Sequence, residues 1–285
     1  MNSFADKLLL LMAIAAAGIL LAYAYIYQQI DARLVRVYEV PLTAVPVSDD
    51  PAVIAEGERQ AWIHGCFWCH GDNLEGRPYF INGFRGVEMV APNLTDKARD
   101  YSVEELARAI RNGIKADGTS LQPAMPSFAF YHMSDEQLGA LISYIRSVPE
   151  TDGYEGGFKL WPMGVLRAWQ EKLPPNLGDL IDHSAPRVAS DYATGSAEQG
   201  QYLVESVCTE CHSDNGRLRV PGSPDLGVAR AYDKENFMRL MRTGVALAER
   251  PIDYHMAEVS KYRYIYFSDA EMDAIYKYLI GQYQQ

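Results

Sequence analysis

Two short segments of the chain carry cysteine and histidine at the same spacing. Residues 66–70 read Cys-Phe-Trp-Cys-His and residues 208–212 read Cys-Thr-Glu-Cys-His, and together they use all four cysteines of the 285 residues. Two thiols followed directly by an imidazole are the attachment signature of a c-type haem. The repeat therefore predicts two covalently bound haem c groups with iron-binding histidines. The predicted residues are Cys66, Cys69, His70, Cys208, Cys211 and His212.

Two other uses of the four cysteines stay open at this point. The cysteines could form two disulfides, or the two pairs could bind zinc. Zinc binding does not require a histidine directly after each second cysteine, and disulfide formation does not require the spacing to repeat. Haem attachment accounts for both features and is the favoured interpretation.

The overall charge excludes one class of partner. The formal net charge is −11 and the isoelectric point is about 5.0, which argues against a nucleic-acid partner. An acidic surface could steer a basic redox protein towards the chain, or it could simply keep a soluble domain in solution.

An apolar segment near the N-terminus predicts a membrane anchor. Residues 8–27 are uncharged and mostly apolar, with Tyr23, Tyr25 and Tyr27 at the far end. A helix of this length spans about 30 Å, enough for a bilayer core with an interfacial aromatic belt. A cleaved signal peptide, with Ala-Tyr-Ala at residues 22–24 as its processing site, is the alternative. The run is longer than the apolar region of a usual signal peptide and favours a single retained transmembrane helix.

Haem attachment also predicts how this helix is oriented. The flanking charges are too balanced to decide the matter. Covalent haem attachment takes place outside the cytoplasmic membrane, so the haem-binding part is expected on the periplasmic side of a bacterial inner membrane. Small residues four apart, Ala13 with Ala17 and Gly18 with Ala22, would let the helix pack against a membrane partner.

The sequence after residue 50 contains two copies of a similar pattern. In each copy a first helix leads to the cysteines, a second ends at a glycine, and a third carries apolar residues at i, i+3, i+4 and i+7. The expected N-caps in the two copies are Asp50, Ser102, Ser134, Ser196, Asp233 and Ser268.

The same register indicates the second ligand of each iron. Met125 lies twelve residues after Gly113 and Met256 twelve residues after Gly244, and no other methionine pair keeps this spacing. A thioether ligand favours reduced iron and raises the reduction potential. The alternatives are Met133, His132 and His255, whereas Met238, Met241 and Met272 are expected in helix cores. The predicted metal ligands are therefore His70, Met125, His212 and Met256.

Several segments resemble tandem class I cytochromes c over about residues 50–285. Residues 65–71 read Gly-Cys-Phe-Trp-Cys-His-Gly, residues 91–95 read Ala-Pro-Asn-Leu-Thr, and residues 109–113 read Ala-Ile-Arg-Asn-Gly, followed by Met125-Pro126. The second copy is less complete, since no proline follows Met256. The likeness is greatest to membrane-bound diheme cytochromes and to cytochrome subunits of bacterial periplasmic dehydrogenases.

The resemblance implies further site residues. The carbonyls of Pro92 and Pro224 would accept a hydrogen bond from His70 and His212, and the first and last helices of each unit would cross. The expected crossing contacts are Gly57 with Tyr144 and Gly200 with Tyr278. Arg77, Tyr79 and Asn93 are candidate neighbours of a haem edge or propionate.

The predicted fold is all-α, with two class I cytochrome c domains in tandem after one N-terminal transmembrane helix. The expected order is an anchor (residues 1–30), an extended linker (31–49), a first domain (50–149), an interdomain segment (150–195) that packs along both domains, and a second domain (196–285). The two domains are called the first and second units below.

The predicted function is electron transfer rather than catalysis. The chain would pass single electrons between periplasmic or membrane redox proteins, as a free shuttle or as a subunit of a respiratory or dehydrogenase complex. A diheme peroxidase and the diheme subunit of a cbb3-type oxidase are the alternatives. A thiosulfate-dehydrogenase-like site would need a cysteine beyond the four already used.

Overall fold

The computed structural model describes residues 4–212 and 222–282, and most of them are helical. A long helix, α1 (Phe4–Leu34), comes first. The first unit contains α2 (Pro51–Ile63), α3 (Cys66–His70), α4 (Leu94–Asp100), α5 (Val103–Asn112), α6 (Ser127–Phe130) and α7 (Asp135–Ser147). After α8 (Pro162–Trp169), the second unit contains α9 (Ala197–Leu203), α10 (Thr209–His212), α11 (Lys234–Thr243), α12 (Tyr254–Tyr262) and α13 (Asp269–Gln282).

The predicted N-caps are present at the helix starts. A side-chain oxygen at each of these positions accepts a backbone N–H that has no partner inside the helix. Ser102 with Glu105, and Ser268 with Glu271, form complete reciprocal capping boxes. The accepting residues are Asp50, Ser102, Ser134, Ser196, Asp233 and Ser268.

The first and last helices of each unit cross at a glycine. A Cβ on Gly57 would lie 2.0 Å from the carbonyl oxygen of Ala140 and 2.7 Å from Cβ of Tyr144. A Cβ on Gly200 would lie 2.0 Å from the carbonyl oxygen of Ala274 and 2.7 Å from Cβ of Tyr278. The two predicted crossing contacts are therefore confirmed, and only glycine allows the backbones to approach this closely.

The described part of the chain is mostly helical, as the all-α prediction expected, but the first unit also contains a small sheet that was not predicted. Strands β1 (Arg77–Asn82), β2 (Val87–Ala91) and β3 (Gly157–Leu160) form an antiparallel sheet in the order β1-β2-β3. The inward side chains of β2 alternate with its half-buried ones, as expected for a sheet with one face on a core. The third strand comes from the segment between the units, so it is distant in sequence from the other two.

Both connecting segments pack along the first unit. In the linker, the Tyr38 N–H donates to Gly118 O (2.9 Å), and Val45 is buried in the core of the first unit. The segment after residue 150 contributes β3 and α8 and ends beside the second unit, where the rings of Tyr192 and Tyr202 lie 5.2 Å apart.

The two units also meet directly through the caps of their last helices. The Tyr202 hydroxyl from α9 accepts the backbone N–H of Ser134 (2.8 Å) and donates to Oε1 of Gln137 (2.5 Å). Ser134 caps α7 by accepting the Gln137 N–H, while its own N–H is satisfied by a tyrosine of the second unit. At the cap of α13, Glu271 accepts two hydrogen bonds from the guanidinium of Arg59 on α2 (3.0 and 3.1 Å).

Among the described residues, α1 is the one helix long and apolar enough to cross a membrane. No residue of its most apolar stretch is buried, whereas Ile30 near its end is only 1% exposed and packs against Val165 and Ala168 of α8. The helix is therefore fixed to the rest of the molecule through its last turns alone.

Candidate haem sites

The first cysteine motif lies on a single helical turn. Gly65 adopts a left-handed conformation (φ +71°) between the end of α2 and the start of α3. Such a backbone favours glycine, and it starts a new turn that carries Cys66, Cys69 and His70. The sequence thus places both thiols and the imidazole on one short rigid element.

The ring of His70 is held by a backbone carbonyl. Its Nδ1 lies 2.8 Å from Pro92 O, directly after β2. A carbonyl only accepts, so Nδ1 carries the proton and Nε2 is left with a lone pair for a metal. Burial lowers the pKa of His70, which favours the neutral imidazole that binds metals.

The residues predicted for the first haem meet around one cavity of about 410 Å³. Cys66, Cys69, His70, Pro92 and Met125 all line it. Most of the remaining wall is apolar, and α4, α5 and α7 contribute Leu94, Leu106, Ile110, Leu141 and Ile145 to it. A mostly apolar space of this size with a few convergent polar groups is typical of a cofactor site.

The donor set fits haem better than the two alternatives. All four cysteines are free thiols, so the structure contains neither of the two disulfides considered. Within residues 4–212 and 222–282, no three His, Cys, Asp or Glu side chains come together as a metal cluster would require. Burial raises the pKa of the Cys66 thiol to about 12.

Met125 belongs to a tight loop. Its N–H donates to Gln122 O (3.2 Å) and its carbonyl accepts from Ser127 N (2.9 Å), just before α6. The alternative Met133 is fully buried in the core and is not part of the cavity wall. His132 is engaged elsewhere, since its Nδ1 accepts from Val188 N (3.1 Å). The geometry of the first unit therefore favours Met125 over both alternatives.

The second motif repeats the proximal arrangement on a different backbone. A π-helical turn, Val204–Cys208, continues α9 and leads into α10. Nδ1 of His212 lies 2.8 Å from Pro224 O, the same distance as between His70 and Pro92. Residues 213–221, between the motif and Pro224, lie outside the described part of the chain.

Met256 sits in the first turn of α12, a helix that the sequence pattern did not predict. It is partly buried against the core of the second unit. Its neighbour His255 is exposed, and Nδ1 of that ring lies 3.1 Å from Asp253 Oδ1. Met241 and Met272 are buried in the helix core, as expected for them.

The three candidate haem-edge residues make different contacts in the structure. Tyr79 lines the cavity. The Arg77 guanidinium binds the carbonyl of Trp68 at the motif itself. Asn93 instead caps α4: its Oδ1 accepts from Thr95 N (2.9 Å) and its Nδ2 donates to Thr151 O (2.7 Å). The expected haem contact of Asn93 is therefore replaced by a structural role.

Sequence reasoning missed several residues of the cavity wall. His64 is buried against the cavity, and its Nε2 has no hydrogen-bond partner. Burial lowers the pKa of His64 to about 4. Leu34 of α1 and Glu210 of the second motif also line the cavity. Their contact depends on tertiary packing, and only the position of His64 two residues before Cys66 was a local signal.

Comparison with known proteins agrees with the repeat. A family model described as cytochrome c matches residues 54–149 and again residues 197–281. The chain is 27% identical over 277 residues to the fructose dehydrogenase cytochrome subunit of Gluconobacter japonicus, covering 84% of this chain and 54% of that protein. It is 25% identical over 277 residues to the cytochrome c subunit of alcohol dehydrogenase (quinone) of Gluconobacter oxydans, covering 81% and 55%.

A shorter match is to the diheme cytochrome c-type of Cereibacter sphaeroides, with 23% identity over 197 residues, covering 61% of this chain and 64% of that protein. The chain spans about half the length of the two dehydrogenase cytochrome subunits. The two family matches cover more than half of the sequence, and each contains one cysteine–histidine motif with its proline-bound imidazole. The chain therefore belongs to the cytochrome c family.

Proposed function

We propose that the chain is a membrane-anchored diheme c-type cytochrome that passes single electrons between redox proteins. The observation that carries the proposal is the first-unit cavity, where free thiols, a proline-bound imidazole and a thioether converge. Bound haem supplies an iron that takes up and releases one electron. The chain contributes covalent attachment, axial ligands and a largely apolar wall.

Each set of residues has a defined task. Cys66 and Cys69 would tether the first haem, and His70 and Met125 would bind its iron. Pro92 fixes the imidazole ring and raises its basicity through the Nδ1 hydrogen bond. The thioether and the buried wall favour the reduced iron and keep water from it.

The second unit repeats these tasks, which supports a count of two haems. Cys208 and Cys211 would attach the second haem, His212 and Met256 would bind its iron, and Pro224 orients the imidazole. The equal His–Pro distances in the two units support this assignment. The residues proposed to attach haem and to bind its iron thus occupy equivalent positions in the two copies.

We infer that α1 anchors the chain in the bacterial inner membrane, with the haem-binding units on the periplasmic side. The apolar part of α1 is exposed along its length. Near the C-terminal end of this apolar segment, the rings of Tyr25 and Trp169 of α8 pack edge to face with centroids 6.2 Å apart. Aromatic residues are common at membrane interfaces. Leu34 at the end of the same helix lines the first cavity, which supports a position of that site near the membrane surface.

The donor is proposed to be the catalytic subunit of a periplasmic dehydrogenase. Relatives are named as cytochrome subunits of fructose, alcohol and gluconate dehydrogenases. A cytochrome in such a complex accepts electrons one at a time and passes them to a further carrier in the respiratory chain. The acceptor would be a second redox protein in or near the membrane.

A redox titration of the purified, detergent-solubilised full chain tests the proposal. Two one-electron transitions are expected, with no turnover of added hydrogen peroxide. In cells the chain should stay with the membrane pellet after alkaline carbonate washing, and protease added to spheroplasts should remove its haem-binding units. Peroxide turnover at the rate of a peroxidase would contradict a purely electron-transferring role. Full protection of the haem-binding units from protease would contradict the proposed orientation.

A further inference from the structure

A buried arginine of the second unit lies against both cysteine motifs. Arg263 directly follows α12 and is only 5% exposed. Its Nε and Nη2 donate to the carbonyl oxygen of Ile63 at 3.0 and 2.9 Å, and its Nη2 also donates to Oε2 of Glu210 at 2.7 Å. Ile63 is the last residue of α2 before the first motif, and Glu210 lies between the two cysteines of the second motif. One guanidinium therefore joins the two attachment segments.

The backbone of the first motif is shaped to admit this side chain. A Cβ on Gly65 would lie 2.8 Å from Cζ of Arg263. Together with its positive φ, this close approach makes glycine necessary directly before Cys66. The guanidinium thus lies on the turn that carries the first pair of thiols.

The charge of Arg263 reaches both motifs. Its guanidinium contacts the end of α2 directly before the first motif and the carboxylate of Glu210 within the second motif. Glu210 lies between Cys208 and Cys211 of the second motif, and it also lines the first cavity. The ion pair is therefore shared between the two sites rather than belonging to one.

We propose that Arg263 is a positioning residue that locks the two haem-attachment turns together, and that its ion pair with Glu210 sets the charge felt by both haems. This inference rests on the proposed function. A nearby cation opposes the extra positive charge of oxidised iron and so favours reduction, whereas a carboxylate favours oxidation. Because the low-dielectric interior screens poorly, removing one partner leaves the other charge acting on both sites.

Redox titration of charge variants provides the test. Arg263→Gln leaves Glu210 unpaired, and the equilibrium constant for reduction of both haems should fall about tenfold, which is about 59 mV for one electron. Glu210→Gln should shift both in the opposite direction. The double variant should return both potentials towards those of the unchanged chain. Glu210→Gln alone keeps the test usable even where Arg263→Gln fails to fold.

The chain offers a matched control in Arg59. This arginine also bridges the two units, through Glu271 and through Tyr266 O at 3.1 Å. It lies within α2, and its carboxylate partner belongs to the cap of α13 rather than to a cysteine motif. Arg59→Gln should lower the stability of the inter-unit contact while leaving both reduction potentials within twofold in equilibrium constant.

The outcomes separate this inference from the proposed function. Opposite shifts of both haems in the two single variants, absent in Arg59→Gln, support the shared ion pair. A shift confined to one haem, or equal shifts in Arg263→Gln and Arg59→Gln, would overturn it while leaving a diheme cytochrome. An unchanged chain that lacks two one-electron transitions would overturn the proposed function itself.

Discussion

The two histidine rings are oriented by the same interaction, a hydrogen bond to a proline carbonyl. A proline has no N–H, but its carbonyl oxygen is free to accept, and at 2.8 Å it sets which imidazole nitrogen carries the proton. The nitrogen that faces away from the proline is then an acceptor in both units. The distal side is less alike, because Met125 lies in a loop and Met256 on a helix.

Met256→Ala tests the less regular of the two distal ligands. One haem should lose its sulfur ligand, its potential should fall, and the spectrum of the other haem should not change. The matched control is Met133→Ala, whose side chain is fully buried away from the cavity. The control should cost about 3 kcal/mol of stability and leave both spectra intact. Unchanged spectra in Met256→Ala, measured by magnetic circular dichroism, would show that this residue binds no iron.

The crossing glycines give a prediction that does not depend on haem chemistry. In Gly57→Ala and Gly200→Ala the new Cβ would fall 2.0 Å from a carbonyl oxygen, so the helices must separate at a cost of about 3 kcal/mol. In Gly281→Ala nothing lies within 4 Å of the new Cβ, and better helix propensity should stabilise the chain by about 0.5–1 kcal/mol. Chemical denaturation measures all three. Equal stabilities would mean that the helices do not cross at the glycines.

Residues of the site differ in how far the sequence could predict them. The cysteines, the histidines and the crossing glycines follow from a local motif or from the register of the repeat. His64, Glu210 and Arg263 reach the site through packing between distant parts of the chain, which leaves no spacing to recognise. Asn93 was misjudged because the same side chain suits a helix cap and a haem contact equally well.

At the scale of elements, the caps of the last helices also join the two units. Tyr202 of α9 completes the cap of α7, and Glu271 in the cap of α13 binds Arg59 of α2. A cap normally satisfies only its own helix. Here the same hydrogen-bonding groups fix the relative position of the helices that carry the two sites.

Tyr202→Phe tests this double use of a cap. The buried Ser134 N–H would lose its acceptor, at a cost of about 1–3 kcal/mol. Hydrogen exchange at that amide should accelerate correspondingly. In the control, Tyr276→Phe, the lost hydroxyl donates to Tyr232 O within the second unit at 3.1 Å. The control should leave the Ser134 amide protected from hydrogen exchange. Equal protection of this amide in both variants would contradict the role of Tyr202.

The strands of the first-unit sheet were harder to predict from the sequence than the helices. The helices have capping residues and a regular apolar period, both visible over a few residues. Strand β2 pairs with β3, which lies about 70 residues later, beyond α7. Its pairing is decided by tertiary contacts, and strands of four to six residues are too short for a sequence period to be recognised.

At the scale of the whole molecule, the connecting segments bring the parts together. The end of α1 packs against α8, α8 follows directly on the strand that completes the first-unit sheet, and the same segment then reaches Tyr202. The first cavity is bordered by the end of α1 on one side and by Glu210 of the second motif on another. This arrangement suits a carrier in which the two sites act as one unit beside the membrane.

Each cysteine motif is proposed to hold one haem covalently, and the intact mass of the denatured chain measures this attachment. After extraction with acidic organic solvent, the mass should exceed that of the polypeptide by two haem groups. Replacing Cys66 and Cys69 by serine should remove one haem and leave the other. A mass equal to that of the polypeptide alone, with all pigment in the solvent, would contradict the account.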